Sequence, residues 1–149
     1  MATANPSGRI KVLAVLVAIA GVLLIAGGVA TWLVVRDQLQ DENIVVAEDA
    51  RWLAGQTVNG PLTAFSQADV IDTHAREASG GLTYAELDRE DPTRETVMNA
   101  SFLRASLFTS VVSFGIAFLA AGLGIVFLLI AWALFSTAGA VGRSHVPVD

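Results

Sequence analysis

"VLAVLVAIAGVLLIAGGVATWLVV" (Val12–Val35) runs 24 residues without a charged side chain. A bilayer core about 30 Å thick is crossed by roughly 20 apolar residues in a helix. Ala105–Phe135 supply 31 more uncharged residues. The first of these include Ser106, Thr109, Ser110 and Ser113, so the lipid-buried part of a second span is expected at Val111–Leu134. Trp32 and Trp132, near the span ends, suit either interfacial anchoring or ordinary packing. Gly28 and Ala30 also fit a signal-peptide cut after Ala30. The apolar run continues through Trp32, Leu33, Val34 and Val35, however, and outlasts the about 7–15 residues of a signal core, so an uncleaved anchor is expected.

The composition agrees with these two blocks. The chain has 149 residues, enough for one domain at most. Apolar residues make up 54% and charged ones 15%, where a soluble domain is about a quarter charged. There is no cysteine, which removes disulfides, thiolate metal sites and cysteine nucleophiles. A net charge of -5 argues against a nucleic-acid partner, which needs a basic footprint. The abundance of Ala, and of Arg among the basic residues, suggests a GC-rich bacterial genome.

The flanks set an expected orientation. Arg9 and Lys11 precede the first run, and Arg36, Asp37, Asp41 and Glu42 follow it. Basic residues stay on the cytoplasmic side. The expected layout is therefore a cytoplasmic tail at 1–11, spans at 12–35 and 105–135, an extracytoplasmic region at 36–104, and a cytoplasmic tail at 136–149 containing Arg143. All Asp and Glu residues except Asp149 lie in 36–104, giving that region a charge of -7, thirteen acids against six Arg.

The middle region has fold signals. "NIVVAEDARWLAGQTVNG" (Asn43–Gly60) opens on a short β-like run, Ile44–Val46, and ends on an Asn-Gly turn signal. "PLTAFSQADVIDTHAREASGG" (Pro61–Gly81) reads as a helix with Pro61 in its first turn and Gly80 just past its end. A later start at Ser66, with Asp69 in the first turn, is an alternative. Leu62, Phe65, Ala68, Ile71, Ala75 and Ala78 form its apolar stripe. "TYAE" (Thr83–Glu86) is a capping-box pattern. "DPTRE" (Asp91–Glu95) is a helix start with Asp as cap and Pro at the first position. No breaker follows before Gly115, so one helix is expected from Pro92 through the second span. Its outer part should project about 28 Å at 1.5 Å per residue. Val97, Met98, Leu103 and Leu107 are expected to pack it against the Phe65 stripe.

Chemistry is sparse. A helical metal site needs three or more ligands at three- or four-residue spacing. His74 has Val70 and Ala78 at four residues, Glu77 at three, and Asp72 on another face. It is expected to be a polar-face residue, with Glu77 as its only local partner and a carboxylate of Asp88, Glu90 or Asp91 as the alternative in three dimensions. His145 lies in the tail "GRSHVPVD", on the opposite membrane face under this topology. Together the two cannot build an intrachain 2-His-1-carboxylate site. Ser66, Ser79 and Asp69 lie near His74, but no nucleophile elbow accompanies them. Gly80-Gly81 ends a helix instead of opening one, unlike a phosphate loop. "AELDREDPTRE" concentrates Glu86, Asp88, Glu90, Asp91 and Glu95 without EF-hand spacing. It reads as solvated charge and capping, with weak Ca²⁺ binding as the alternative. Asn99-Ala100-Ser101 matches a glycosylation sequon, taken here as chance.

Ala26-xxx-Ala30, Ala117-xxx-Ala121 and Ala120-xxx-Gly124 are small-xxx-small patterns, and Gly115 and Gly122 lie a heptad apart. They suit packing of the spans on each other, on a partner subunit, or on a second copy. Neither run holds a charged residue of the kind that marks an ion path, which argues against a transporter or channel formed by this chain alone.

"AGQTVNGPLTAFSQADVI", "ASGGLTYAELDREDP" and "ETVMNASFLRASLFTSVVSFG" resemble a family of small two-span membrane proteins of actinobacteria. The likeness covers most of Leu53–Leu134. Members of that family are often labelled automatically as aromatic ring-opening dioxygenase subunits. The resemblance implies a two-span plasma-membrane protein and carries over no functional residue. The label conflicts with the residues, since extradiol cleavage uses iron held by two His and a carboxylate.

The expected class is an all-α membrane protein with two transmembrane helices, a small extracytoplasmic helical cap, and a second span continuous with a long outer helix. No catalytic, cofactor-binding or metal-binding residue is assigned. The expected role is a non-enzymatic accessory or interaction subunit that presents the acidic cap to an envelope or membrane partner. The alternatives are an envelope sensor of Ca²⁺ or protons, through the acidic cluster and His74, and, less favoured, an enzyme.

Overall fold

A computed structural model describes residues 6–143 of the chain. The extreme tails, with His145, lie outside the described residues. The described residues are all-helical: α1 (Pro6–Asp41), α2 (Pro61–Ala78) and α3 (Arg94–Arg143). They contain no strand, only an isolated antiparallel bridge between Val45 and Thr57. α1 and α3 are both long and apolar enough to cross a membrane, with mean hydropathy of 2.8 and 2.6 over their most apolar windows. α1 continues past Ala30 and Val35 to Asp41. α3 is one uninterrupted helix of 50 residues.

The chain divides into two compact units, Met1–Ala30 with Ala117–Asp149, and Thr31–Ile116. In the first, α1 and α3 pack antiparallel through small residues. Ala14, Gly21 and Gly28 are buried on α1, and Ala117, Gly124, Ala131 and Ala138 on α3, each set at seven-residue spacing. Such a spacing keeps one seam turned to the partner helix. A methyl group built on Gly28 would stand 2.6 Å from the Ala117 carbonyl oxygen, so only glycine lets the backbones come this close. Part of the seam is in the small-xxx-small pairs expected above, since Ala117 and Ala121 both meet Gly28, and Gly124 meets Gly21; the rest of those pairs lie off it. Ala26 and Ala30 are exposed, and Gly115 and Gly122 face open space. The seven-residue set decides, because it alone stays on one side along both helices.

The second unit is organised around Leu39, Val46, Val58, Ala64, Ala68, Leu107 and Phe114. Trp32 packs edge-on to Phe114 at 4.6 Å, so this tryptophan is a packing residue. α1 ends near Asn43, whose φ of 53° is the left-handed conformation that asparagine tolerates. The chain then pairs antiparallel with itself. Val46 N–H donates to Gln56 O and Val58 N–H to Ile44 O, both at 2.9 Å. The β-like run Ile44–Val46 is therefore present, as a bridge. Its reversal lies in 47–55, with Leu53 (φ 57°) and Gly55 (φ 72°) in the left-handed region, and not at Asn59-Gly60.

Gly60 instead caps α2. The Thr63 hydroxyl reaches back to accept the Asn59 and Gly60 N–H groups at 3.1 and 3.2 Å. The helix starts at Pro61, and Ser66 is interior to it. It stops as expected: Gly80 has φ 66°, Gly81 N–H bonds Arg76 O at 2.7 Å, and Gly80 N–H bonds Glu77 O at 3.4 Å. This is a Schellman motif. The apolar stripe differs in part. Ala64, Ala68 and Ala75 are buried with Thr63, Ser66 and Val70, whereas Leu62 is 63% exposed and Phe65 40%. The small residues win because α2 lies close to its neighbours.

Thr83–Glu86 makes one half of the expected capping box, the Glu86 side chain reaching back to Thr83, while the Glu86 N–H bonds the Thr83 carbonyl at 3.1 Å. Glu86 Oε2 accepts from the Thr83 N–H and hydroxyl at 2.8 and 2.7 Å. Asp91 caps as expected, its Oδ1 accepting Thr93 N–H at 2.8 Å, but regular helix begins at Arg94 and not Pro92. Val97 and Leu107 are buried on α3, while Leu103 is 55% exposed.

Candidate recognition surface

The polar residues of the second unit fall into two groups on α2. The first centres on His74. Its Nε2 lies 2.5 Å from Asp49 Oδ2, on the loop that carries the reversal. Both side chains are about half exposed, 48% and 62%. The hydrogen bond to His74 is the main reason that the Asp49 carboxyl sits below its ordinary value of 3.8. The expected partner, Glu77, is exposed and in no ion pair among the described residues. Loop and helix are joined at two further points. Ala47 N–H donates to Gln67 Oε1 at 2.9 Å, and Ser66 Oγ donates to Trp52 O at 2.6 Å. Beside His74 an open groove of about 360 Å³ is lined by Ile71, Ala75, Thr96, Asn99 and Leu103.

The second group joins α2 to α3. Asp72 accepts from Arg104 Nη1 at 2.8 Å and from Arg76 Nε at 3.1 Å. These residues wall a small cleft of about 50 Å³ with Thr83, Tyr84 and Ser101. Arg94 lies 4.1 Å over the Tyr84 ring and donates to the Tyr84 and Leu87 carbonyls. It thereby pins the turn Thr83–Leu87 to the start of α3.

His74 with Asp49 offers the residue types of a base and an orienter, two of the three parts that a nucleophilic triad needs. The serines expected near it are committed elsewhere. Ser66 is 1% exposed and bonds Trp52, and Ser79 is 8% exposed and donates to Leu82 O at 2.5 Å. Asp69 faces Arg51 at 3.8 Å. The acidic stretch is split. Hydrogen bonds from Thr83 hold the Glu86 carboxyl below its ordinary value, those from Thr93 do the same for Asp91, and Asp88 and Glu90 stay exposed. Among the described residues, no three His, Asp or Glu side chains gather as a metal site would need.

No family model, curated protein or solved structure matches the chain. The surface is therefore read from its own geometry. Sequence reasoning missed Asp49 and Arg104 as partners. Asp72 and Arg76 are four apart on one helix, a spacing that predicts their contact. Asp49 is 25 residues from His74, and no local period reaches that far.

Proposed function

We propose that this chain is a two-span plasma-membrane protein without a catalytic role, with both termini cytoplasmic, acting as an accessory subunit that offers an acidic outer unit to a membrane or envelope partner. The membrane part of the reading is supported by how little of the apolar helices the protein itself covers. Only 17% and 22% of their most apolar windows is buried. Such side chains need another apolar phase, and lipid supplies it. Val12–Ala30 and Ala117–Phe135 are 19 residues each, about 28 Å of helix. The resemblance to the actinobacterial two-span family points the same way.

The observation that carries the interaction role is the unpaired acid on a folded surface. Asp37, Asp41, Glu42, Glu77, Asp88 and Glu90 are exposed and in no ion pair among the described residues, while the acids that hold the fold are already engaged. A basic surface on a partner is the complement. The test is purification from native membranes in mild detergent, followed by charge reversal at Glu77 and Glu90. The expected result is a stoichiometric partner, held less tightly at high salt and lost on charge reversal. Recovery of the chain alone overturns the proposal.

The contact of His74 with Asp49 favours a second reading, an envelope sensor of protons. Protonation of His74 would strengthen its tie to the loop. A melting temperature unchanged between about pH 5 and 8 counts against it. Neither reading uses the dioxygenase label.

A further inference from the structure

We infer that the N-terminal half of α2 and the loop before it lie in the membrane–water interface, with Trp52, Leu62 and Phe65 against lipid. The inference rests on the two-span reading and adds to it a membrane-contacting surface in the outer unit.

Depth along α3 supplies the scale. Arg104 is its last charged residue before the uncharged run Ala105–Phe135. α2 lies antiparallel beside it: Asp72 binds Arg104 at 2.8 Å, and about two turns nearer the α2 start, Phe65 meets Phe108 at 5.7 Å between ring centroids. Moving toward the start of α2 is thus moving along α3 into its apolar run. Leu62 lies about 4.5 Å further along than Phe65, at 1.5 Å per residue.

The chain's charge pattern agrees independently. Within the acidic middle region, Trp52–Ala68 contains no charged residue. Arg51 and Asp69 bound this stretch and face each other at 3.8 Å, so its two charged ends are held together on one side. Its apolar side chains divide by role. Val58, Ala64 and Ala68 are fully buried in protein, whereas Leu62 is 63%, Phe65 40% and Trp52 39% exposed. The Trp52 and Phe65 rings stand 5.9 Å apart and form one patch. Aromatic residues at the level where a helix enters its apolar run make an interfacial belt. Non-helical backbone survives near lipid only when its polar groups are satisfied by protein. Here Val46 and Val58 N–H are paired across the bridge, Asn59 and Gly60 N–H on Thr63, and the Trp52 carbonyl on Ser66.

The absence of cysteine allows a direct test on the full chain in phosphatidylcholine vesicles. Single variants Leu62→Cys, Glu77→Cys and Val126→Cys carry a nitroxide, and collision with oxygen is compared with collision with a water-soluble nickel chelate. Leu62→Cys and Val126→Cys should favour oxygen, and Glu77→Cys should favour nickel. Trp52 gives a second readout: lipids brominated near the headgroup should quench its share of the emission, taken as the difference from Trp52→Phe, more than lipids brominated near the chain ends. A nickel-accessible Leu62→Cys beside an oxygen-favouring Val126→Cys overturns this inference and leaves the two spans standing. Nickel access at Val126→Cys overturns both. Exclusion of both probes at Leu62→Cys, the sign of a second copy covering the patch, also overturns lipid contact.

Discussion

Gly21 and Gly124 meet backbone to backbone: a methyl group on Gly124 would stand 2.6 Å from the Gly21 carbonyl oxygen, and one on Gly21 2.8 Å from the Gly124 oxygen. Real side-chain carbons do not approach that closely, and the obstacle is backbone, so a substitution must push the helices apart. Gly124→Ala is expected to destabilise the α1–α3 pair by about 1–3 kcal/mol, the usual cost of overpacking. Gly122→Ala faces open space and is expected to be neutral or stabilising by up to about 1 kcal/mol, through helix propensity. Unfolding of both variants in detergent micelles checks the contrast. Equal effects would mean that the small-residue seam does not hold the two helices.

The end of α2 gives a second contrast. Gly80 has φ 66° and closes the Schellman motif, whereas Gly60, the cap at the other end, is extended with φ -163°. Neither would meet a neighbour with an added methyl group. Only the backbone angle separates them. Gly80→Ala should cost about 1–2 kcal/mol, the penalty of a left-handed conformation for an L side chain, and Gly60→Ala should cost little. Thermal melts followed by circular dichroism measure both.

Local signals were legible in the sequence and non-local ones were not. The apolar runs, Pro61, the Gly80 stop, and the Thr83–Glu86 and Asp91 caps each depend on residues within one or two turns, so reading along the chain finds them. The seam of Ala14, Gly21 and Gly28 against Ala117, Gly124, Ala131 and Ala138 is legible only in part, at Ala117, Ala121 and Gly124, because every third or fourth residue in these runs is small and many patterns compete. The α2 stripe departs from expectation at Leu62, which is 63% exposed, whereas Phe65 meets Phe108 and is 40% exposed. Periodicity locates an apolar face, but it does not distinguish protein from another apolar phase as the thing that covers it. The pairings of His74 with Asp49 and Asp72 with Arg104 depend on how loop and helices fold back, and no spacing encodes that.

Arg104 and Asp72 are only 32% and 28% exposed, so their pair is less screened than a surface one. The Arg104 guanidinium also stands 5.9 Å over the Phe108 ring, and its Nε is buried without a hydrogen-bond partner. Arg104→Met should therefore cost less than loss of a fully buried pair, about 1–2 kcal/mol. Asp72 keeps Arg76 in that variant. Arg104→Lys should restore only part, since an ammonium lacks the planar fork that spans carboxylate and ring. A double-mutant cycle with Asp72→Asn separates the pair from packing. A coupling near zero would show that Arg104 acts through its aliphatic stem alone.

Acid should release the loop from α2 through Asp49. Its carboxyl lies below the ordinary 3.8, chiefly because of the hydrogen bond with His74. A depressed carboxyl contributes stability that is fully present above its unfolded value and is lost as pH falls through the lower folded value. Asp49→Asn should therefore lower the melting temperature of the second unit well above pH 3.8 and make no difference well below it. His74→Asn should return the Asp49 titration toward 3.8, as read from its side-chain carboxyl carbon by NMR. Glu86 and Asp91 are held low by Thr83 and Thr93, so their titrations should not move in that variant. If Asp49 titrates unchanged without His74, the contact does not tie the loop to α2 in solution.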